Sequence, residues 1–491
     1  MNGSERPPEV PRRDGSFQDQ PFIVMVTSHW VSMLGLFLVG SGLITWLFVL
    51  PLETRGHAAN PYIGILIFMV VPIIFVLGLA LVPVGVWLAR RRVRQRLEVQ
   101  ITDRRVAVQR LLTFLGLTTA VNVLVGTQLT YRAVEHMESV QFCGQTCHVM
   151  KPEFMAHQSS SHAQLACVEC HVGPGFQGWA QSKMAGTRQL IEVVLGTYPR
   201  PVPPALESDR LVPARQTCEQ CHWTEQFAAA KLRVVAKFAE DEANTETQTV
   251  LMMMVGGSRS GGIHGKHFGP GIEIRYAPAD KERQTIPWVE YRDTAAGKTS
   301  TYVAKGAKPE EVAKLTRYAM QCVDCHNRPT HAFDLPDRAV DKALAGGFLP
   351  ATLPYIKKES VQLLKVEYPS SEEASRRIPA ELRAYYKSTY PEVVAKRGAD
   401  IESAGKQLVE IYNRNVFPEL KVAWGTYRNN LGHDAFPGCF RCHDEDHSTA
   451  GGQTITQDCS ACHELVSTDE ASPEVLKTLG LAERIAAIKK R

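Results

Sequence analysis

The chain carries almost no excess charge. Its 55 lysines and arginines against 51 aspartates and glutamates leave +4 over 491 residues, with both signs mixed along the sequence. Nothing in that balance points to a nucleic-acid partner. No low-complexity linker divides it, and no period marks a repeat solenoid. It also has no cysteine to spare. All twelve fall into six pairs, and a histidine follows each pair directly: Cys143/Cys147/His148, Cys167/Cys170/His171, Cys218/Cys221/His222, Cys322/Cys325/His326, Cys439/Cys442/His443 and Cys459/Cys462/His463.

A lone C-x-x-C is ambiguous between a redox dithiol and half of a zinc site, whereas C-x-x-C-H is the attachment signature of c-type haem. Two thiols add to the two vinyl groups of one porphyrin, and the adjacent histidine turns back to the iron. Zinc would need the pairs to cooperate in fours and gives no reason for a histidine after each second cysteine. Six covalently bound haems c are therefore expected, with all twelve cysteines as attachment points. The first motif, Cys143-Gly-Gln-Thr-Cys147-His148, has three residues between its cysteines, which leaves open whether His148 reaches the iron.

Three apolar stretches precede the first motif, at residues 22–50, 61–89 and 111–131, and no charged residue interrupts any of them. Each is long enough to cross about 30 Å of hydrocarbon as a helix. The first starts after a polar leader and lacks a small-residue cleavage site, so it does not read as a signal peptide. Arg90, Arg91, Arg92, Arg94, Arg96, Arg104, Arg105 and Arg110 crowd the segment between the second and third stretches, whereas residues 51–60 hold only Arg55. By the positive-inside rule that segment and the N-terminus face the cytoplasm, and residues 132–491 lie on the opposite side. Haem attachment occurs on that side too, so the expected location is a bacterial inner membrane, multi-pass, with the haem region in the periplasm. His29 lies inside the first stretch, with His57 and His136 near helix ends. A single intramembrane histidine argues against a b-type haem.

The run from the third stretch through Cys143–His148, Val149-Met150-Lys151-Pro152-Glu153, Ser161-His162, Cys167–His171, Lys183 and Cys218–His222 resembles the NapC/NirT/NrfH family. The resemblance covers roughly residues 110–222 and implies a membrane-anchored quinol dehydrogenase that passes electrons to a periplasmic cytochrome or reductase. It implies Met150 as an axial ligand of the first haem, where a thioether would raise the potential, against the plainer reading of a packing methionine. It implies Lys183 at the quinol pocket, the catalytic candidate, against a lysine contacting lipid phosphate. It implies His162 as a distal ligand of another haem. The family often has an aspartate six or seven residues after the lysine, whereas Gln189 and Leu190 stand there in this chain, with Glu192 close by. The longer layout resembles larger inner-membrane cytochromes that begin with such a module.

A low-spin electron-transfer haem takes two axial ligands. The further candidates are His162, His264, His267, His331, His433 and His447, six for five places, with His157 set aside as a solvent or propionate contact. Which serves which iron is not legible in the sequence. The predicted fold is mainly α: three transmembrane helices, then a haem-packed periplasmic region with a small β insertion. The expected divisions are a leader (1–20), the membrane anchor (21–131), a module with haems 1–3 (132–222), an insertion (223–321) and a C-terminal region with haems 4–6 (322–491). In the insertion, 225–240 reads as a helix, 256–269 as a glycine-rich loop presenting His264 and His267, and 272–276, 288–291 and 301–303 as short strands. Residues 352–366, 371–396 and 401–430 read as helices, and 473–491 as a surface helix. Porphyrins are expected to replace much of the protein core, so that without haem the region would not fold.

The function expected from this reading is oxidation of menaquinol or ubiquinol from the membrane quinone pool. Two alternatives stay open: a conducting or anchoring subunit of a larger respiratory complex, and the same wire running backwards as a quinone reductase. A terminal reductase is disfavoured, because the supply of histidines can cap every iron.

Overall fold

The computed structural model describes residues 22–54, 70–94, 104–137, 139–146, 148–173, 175–204, 212–222, 230–257 and 261–489. The chain divides into two compact units, Met1–Ser139 with Pro174–Arg188, and Val140–Gly173 with Gln189–Arg491.

The first unit is built on the helices Phe22–Thr27, Trp30–Thr54, Val71–Arg94 and Arg104–Met137. Among the described residues two segments, Val71–Arg92 and Arg104–Gln128, are long and apolar enough to cross a membrane. On the latter, Leu112, Leu117 and Leu124 stand exposed, as expected of a helix surrounded by hydrocarbon. The predicted stretch 22–50 is not one continuous helix, because it breaks at Ser28-His29. Ser32 Oγ donates to the Val26 carbonyl there at 2.5 Å, supplying a partner the break removes, and to the His29 carbonyl at 2.7 Å. Helices Trp30–Thr54 and Val71–Arg94 approach closely, and a Cβ at Gly85 would meet the Ser32 backbone nitrogen at 2.2 Å. His57 and the start of the second predicted stretch lie outside the described residues.

The second unit holds two antiparallel sheets and a helical layer. One sheet has the order β1-β2-β8: β1 (Lys231–Phe238), β2 (Glu246–Met253) and β8 (His463–Glu470). The other runs β6-β3-β4-β5-β7, with β3 (Ile272–Ala277), β4 (Trp288–Asp293), β5 (Lys298–Ala304), β6 (Tyr318–Ala319) and β7 (His447–Ser448). The three predicted strands are β3, β4 and β5, and Gly297 turns between the last two with φ +62°. The predicted helix at 225–240 is overturned: Lys231–Phe238 is a strand. Val234 and Val235 suit an extended chain, and all eight residues of β1 pair in register with β2, from Lys231↔Met253 to Phe238↔Glu246.

The helices Pro336–Ala345, Ile356–Lys365, Ser371–Thr389 and Pro391–Asn415 form the layer between the fourth and fifth motifs. Ser370 caps the third by accepting from the Glu373 amide at 3.1 Å. Ala374, Ile378, Leu382 and Tyr386 recur every four residues on it and are fully buried with Ile401, Ala404 and Leu408 of the fourth. Each large apolar side chain buried this way stabilises by about 1.5–3 kcal/mol. A conventional core therefore exists here, in a layer that holds no attachment motif. The predicted helix 371–396 divides at Tyr390-Pro391, because a proline disfavours helical geometry in the residue before it. The predicted helix 401–430 stops at Asn415, three residues before Pro418, and the helix Pro336–Ala345 was not predicted.

Candidate functional site

All the attachment motifs belong to the second unit, and the sheets set several of them. Strand β6 leads into Cys322, with the Met320 amide donating to Ile274 of β3 at 2.9 Å. Strand β8 starts on His463, and the Met254 amide at the end of β2 donates to the Cys462 carbonyl at 2.9 Å. A short helix, Gly262–Phe268, then carries His264 and His267, where a glycine-rich loop was expected. The eleven described cysteines form no disulfide, and Cys147 lies outside the described residues.

The cysteines are not alike in their surroundings. Cys221 departs from its own partner: it is exposed, whereas Cys218 is partly buried. The physical reason is local. The helix Ala214–Cys218 ends on the first cysteine of the motif, and Cys221 stands on the turn beyond it. That turn closes when the amides of Cys221 and His222 both donate to the Cys218 carbonyl, at 3.2 and 2.8 Å. Cys439 and Cys459 are exposed as well, each on a short turn, while Cys442 and Cys462 behind them are partly covered. In motifs 3, 5 and 6, one cysteine is thus exposed and the other partly covered.

Five motif histidines each face one non-motif histidine. The ring-centre separations are 6.2 Å for His171–His331, 5.9 Å for His222–His162, 6.2 Å for His326–His264, 5.9 Å for His443–His267 and 6.1 Å for His463–His433. At that distance two rings are too far apart to hydrogen-bond directly. Metal–imidazole bonds of about 2.0–2.1 Å on each side, added to the ring radii, give a spacing of roughly 6 Å across one metal ion. The donor sets thus fit an axially ligated iron between each pair. Among the described residues no group of three or more His, Cys, Asp or Glu side chains suits a metal ion.

The far sides of several rings are held. Nδ1 of His331 lies 3.0 Å from the Glu153 carbonyl, that of His264 3.1 Å from Val255, that of His267 2.7 Å from Ile263 and that of His443 2.8 Å from Thr456. Such a contact fixes the tautomer and turns Nε2 toward a metal. Burial lowers His267 and takes His331 down to about 4, keeping both rings neutral as a metal ligand must be. Beside His331, burial pushes the Glu153 carboxyl up to about 7, with Arg328 working against it.

His447, the sixth candidate for five places, is not brought to a motif histidine. It is buried, with Nδ1 2.8 Å from Asp444 and Nε2 2.6 Å from the Ile286 carbonyl, so both nitrogens are engaged. His157 is buried rather than solvent-facing, with Nε2 3.1 Å from the Leu165 carbonyl. Met150 ends the turn His148–Met150 and immediately precedes the helix Lys151–Gln158. Lys183 lies on the helix Gly175–Val194 with Gln189, Leu190 and Glu192. The side chains of His148 and Lys183 are outside the described set.

Successive motifs adjoin. Cys167 hydrogen-bonds Cys143. Cys218 lies close to both Cys170 and Cys322. Cys325 stands in the same relation to Cys439, and Cys462 to Cys439. The six motifs thus follow one another in space in the order of the sequence.

The x residues of the motifs were read only as spacers, and two of them prove to be structural. Asp324 of the fourth motif and Arg441 of the fifth meet in one buried network, with the Arg441 guanidinium donating to the Asp324 carbonyl at 2.7 Å. No pattern in the sequence singles out this pair.

Attachment motifs strung in order, facing histidines and apolar spans define a membrane-anchored multihaem c-type cytochrome, an electron-transfer protein. Residues 105–251 match the NapC/NirT cytochrome c family, N-terminal region. The chain is 39% identical over 456 residues to the cytochrome c-type protein ImcH of Geobacter sulfurreducens, covering 89% of this chain and 87% of that protein. It is 32% identical over 94 residues to the cytochrome c-type protein NrfH of Wolinella succinogenes, covering 18% and 52%. No solved structure matches. The chain belongs to the NapC/NirT cytochrome c family and carries covalently bound haem c.

Proposed function

We propose that the chain binds six haems c and oxidises quinol at the periplasmic face of the inner membrane, delivering the electrons to a periplasmic redox partner. The observation that carries the wire is the set of five histidine pairs beside motifs that adjoin in sequence order. On this reading haem 2 is held by His171 and His331, haem 3 by His222 and His162, haem 4 by His326 and His264, haem 5 by His443 and His267, and haem 6 by His463 and His433. His148 and Met150 are left for haem 1.

Haem iron supplies one-electron chemistry, each iron being oxidised as its neighbour is reduced, with no bond made or broken. The backbone carbonyls behind His264, His267, His331 and His443 hold those rings in place, so little reorganisation accompanies each transfer. Quinol gives up two electrons and two protons, and each haem would take one electron, so its electrons leave singly. In this reading Lys183 hydrogen-bonds a quinol oxygen and assists proton departure, as the resemblance to the family implies.

The family match begins at residue 105 and leaves the helices Trp30–Thr54 and Val71–Arg94 outside it. That observation favours a second reading, in which those helices dock a conducting subunit into a larger complex. The deciding experiment follows the haem α-band of purified protein after addition of a menaquinol analogue, with Lys183→Ala beside it. Prompt reduction of the haems, slowed at least tenfold in the variant, is expected. Reduction by dithionite but not by quinol would overturn quinol oxidation and favour the conducting subunit.

A further inference from the structure

Motifs 4 and 5 are tied together twice. On the distal side His264 and His267, three residues apart on the helix Gly262–Phe268, face His326 of one motif and His443 of the other. One rigid turn therefore sets the positions of both rings. On the attachment side the tie is Arg441. Its guanidinium donates to three backbone carbonyls: Asp324 within motif 4 at 2.7 Å, Arg283 in the loop between β3 and β4 at 2.8 Å, and Gly438 of its own turn at 2.8 Å. The planar fork of arginine reaches three fixed acceptors in a way that the single ammonium of lysine does not.

The Asp324 side chain completes the network. Its Oδ2 accepts from the Gln321 amide at 2.7 Å, and its Oδ1 accepts from Tyr276 at 2.5 Å and from Arg283 at 3.2 Å. Buried Asn430 donates to the same Asp324 carbonyl that Arg441 holds. The network thus holds two guanidiniums and one carboxylate, Arg283 on the carboxylate and Arg441 on the backbone carbonyl of Asp324. A buried polar network whose members are satisfied is rigid, and the low local dielectric makes its net charge felt at short range. Arg441 itself stands within motif 5, two residues before His443, and the Asp324 that it holds stands two residues before His326.

We propose that Arg441 is the positioning residue of the electron step between haems 4 and 5: it locks their attachment turns together and holds both haem potentials up with its fixed positive charge. The proposal rests on the haem-chain reading above and is independent of what donates the electrons. In this step one electron passes from ferrous haem 4 to ferric haem 5, without proton transfer. A cation beside an iron favours its less positive, ferrous form, so the charge raises the potential.

The test is a mediator redox titration of full-length, haem-loaded protein, reduced with dithionite so that no quinol site is required. Haem content and low-spin spectra measured on the same samples check the haem-chain reading separately. In Arg441→Gln, two of the six midpoints are expected to fall while the other four stay. In Arg441→Lys, which keeps the charge, those two are expected to return most of the way. In Asp324→Asn, which removes the opposing charge but keeps an acceptor, the same two are expected to rise. A purely structural role would not give shifts of opposite sign. If Arg441→Gln does not accumulate with haem, the lysine and asparagine variants carry the test. Unmoved midpoints in Arg441→Gln, a fall in Arg441→Lys as large as in Arg441→Gln, or no rise in Asp324→Asn would each overturn the proposal.

Discussion

At His331 the contact of Nδ1 with the Glu153 carbonyl leaves Nε2 turned toward His171, whereas at His447 both nitrogens are engaged by Asp444 and Ile286. The two residues were equivalent candidates in the sequence, since each stands a few residues beyond a motif histidine. Their hydrogen bonds separate them, and those depend on chain segments far away. His331→Ala is expected to convert one haem in six to the high-spin form in the low-temperature EPR spectrum and to leave the others low-spin. His447→Asn is expected to leave all of them low-spin. A high-spin signal in the second variant but not in the first would reverse the assignment. The attachment cysteines and their histidines were legible at this scale because C-x-x-C-H is local. The exposure of Cys221 was not, because the motif gives the spacing of its thiols and says nothing of where the preceding helix ends. The distal partners were legible only as a pool, because His331 faces the histidine of the second motif from beyond the fourth, and His433 faces that of the sixth from before the fifth.

Elements divide along the same line. Strands β3, β4 and β5 showed in the sequence through alternation and a turn glycine, and the long helices after residue 350 through their apolar period. The Lys231–Phe238 strand did not show, because an alanine-rich stretch favours a helix and only its pairing with Glu246–Met253 decides otherwise. The boundary at Tyr390 follows from Pro391, a local signal that the long apolar pattern masked. The helical layer has its own core, so its stability is separable from the haems. Leu382, fully buried between Ser371–Thr389 and Pro391–Asn415, is expected to cost about 2–5 kcal/mol when truncated to alanine. Urea unfolding followed by far-ultraviolet circular dichroism checks this, with the haem absorption of the native variant unchanged. A variant that loses haem along with stability would show that the layer and the haem chain fold as one.

At the scale of the whole molecule, the central claim is that five of the six haems sit between two histidines each, in an unbroken succession. That claim joins the motif count, which the sequence holds outright, to the ring pairs, which only the fold brings together. It also separates haem 1 from the rest, since Met150 and His148 are what remain for it. Near-infrared magnetic circular dichroism of the oxidised protein, with the haem-to-protein ratio determined on the same sample, tests it most directly, because bis-histidine and histidine–methionine haems give bands at different energies. The expected result is six haems per chain, five with the bis-histidine band and one distinct. Fewer than five bis-histidine haems at full haem loading would contradict the pairing and leave the spacing of the rings unexplained.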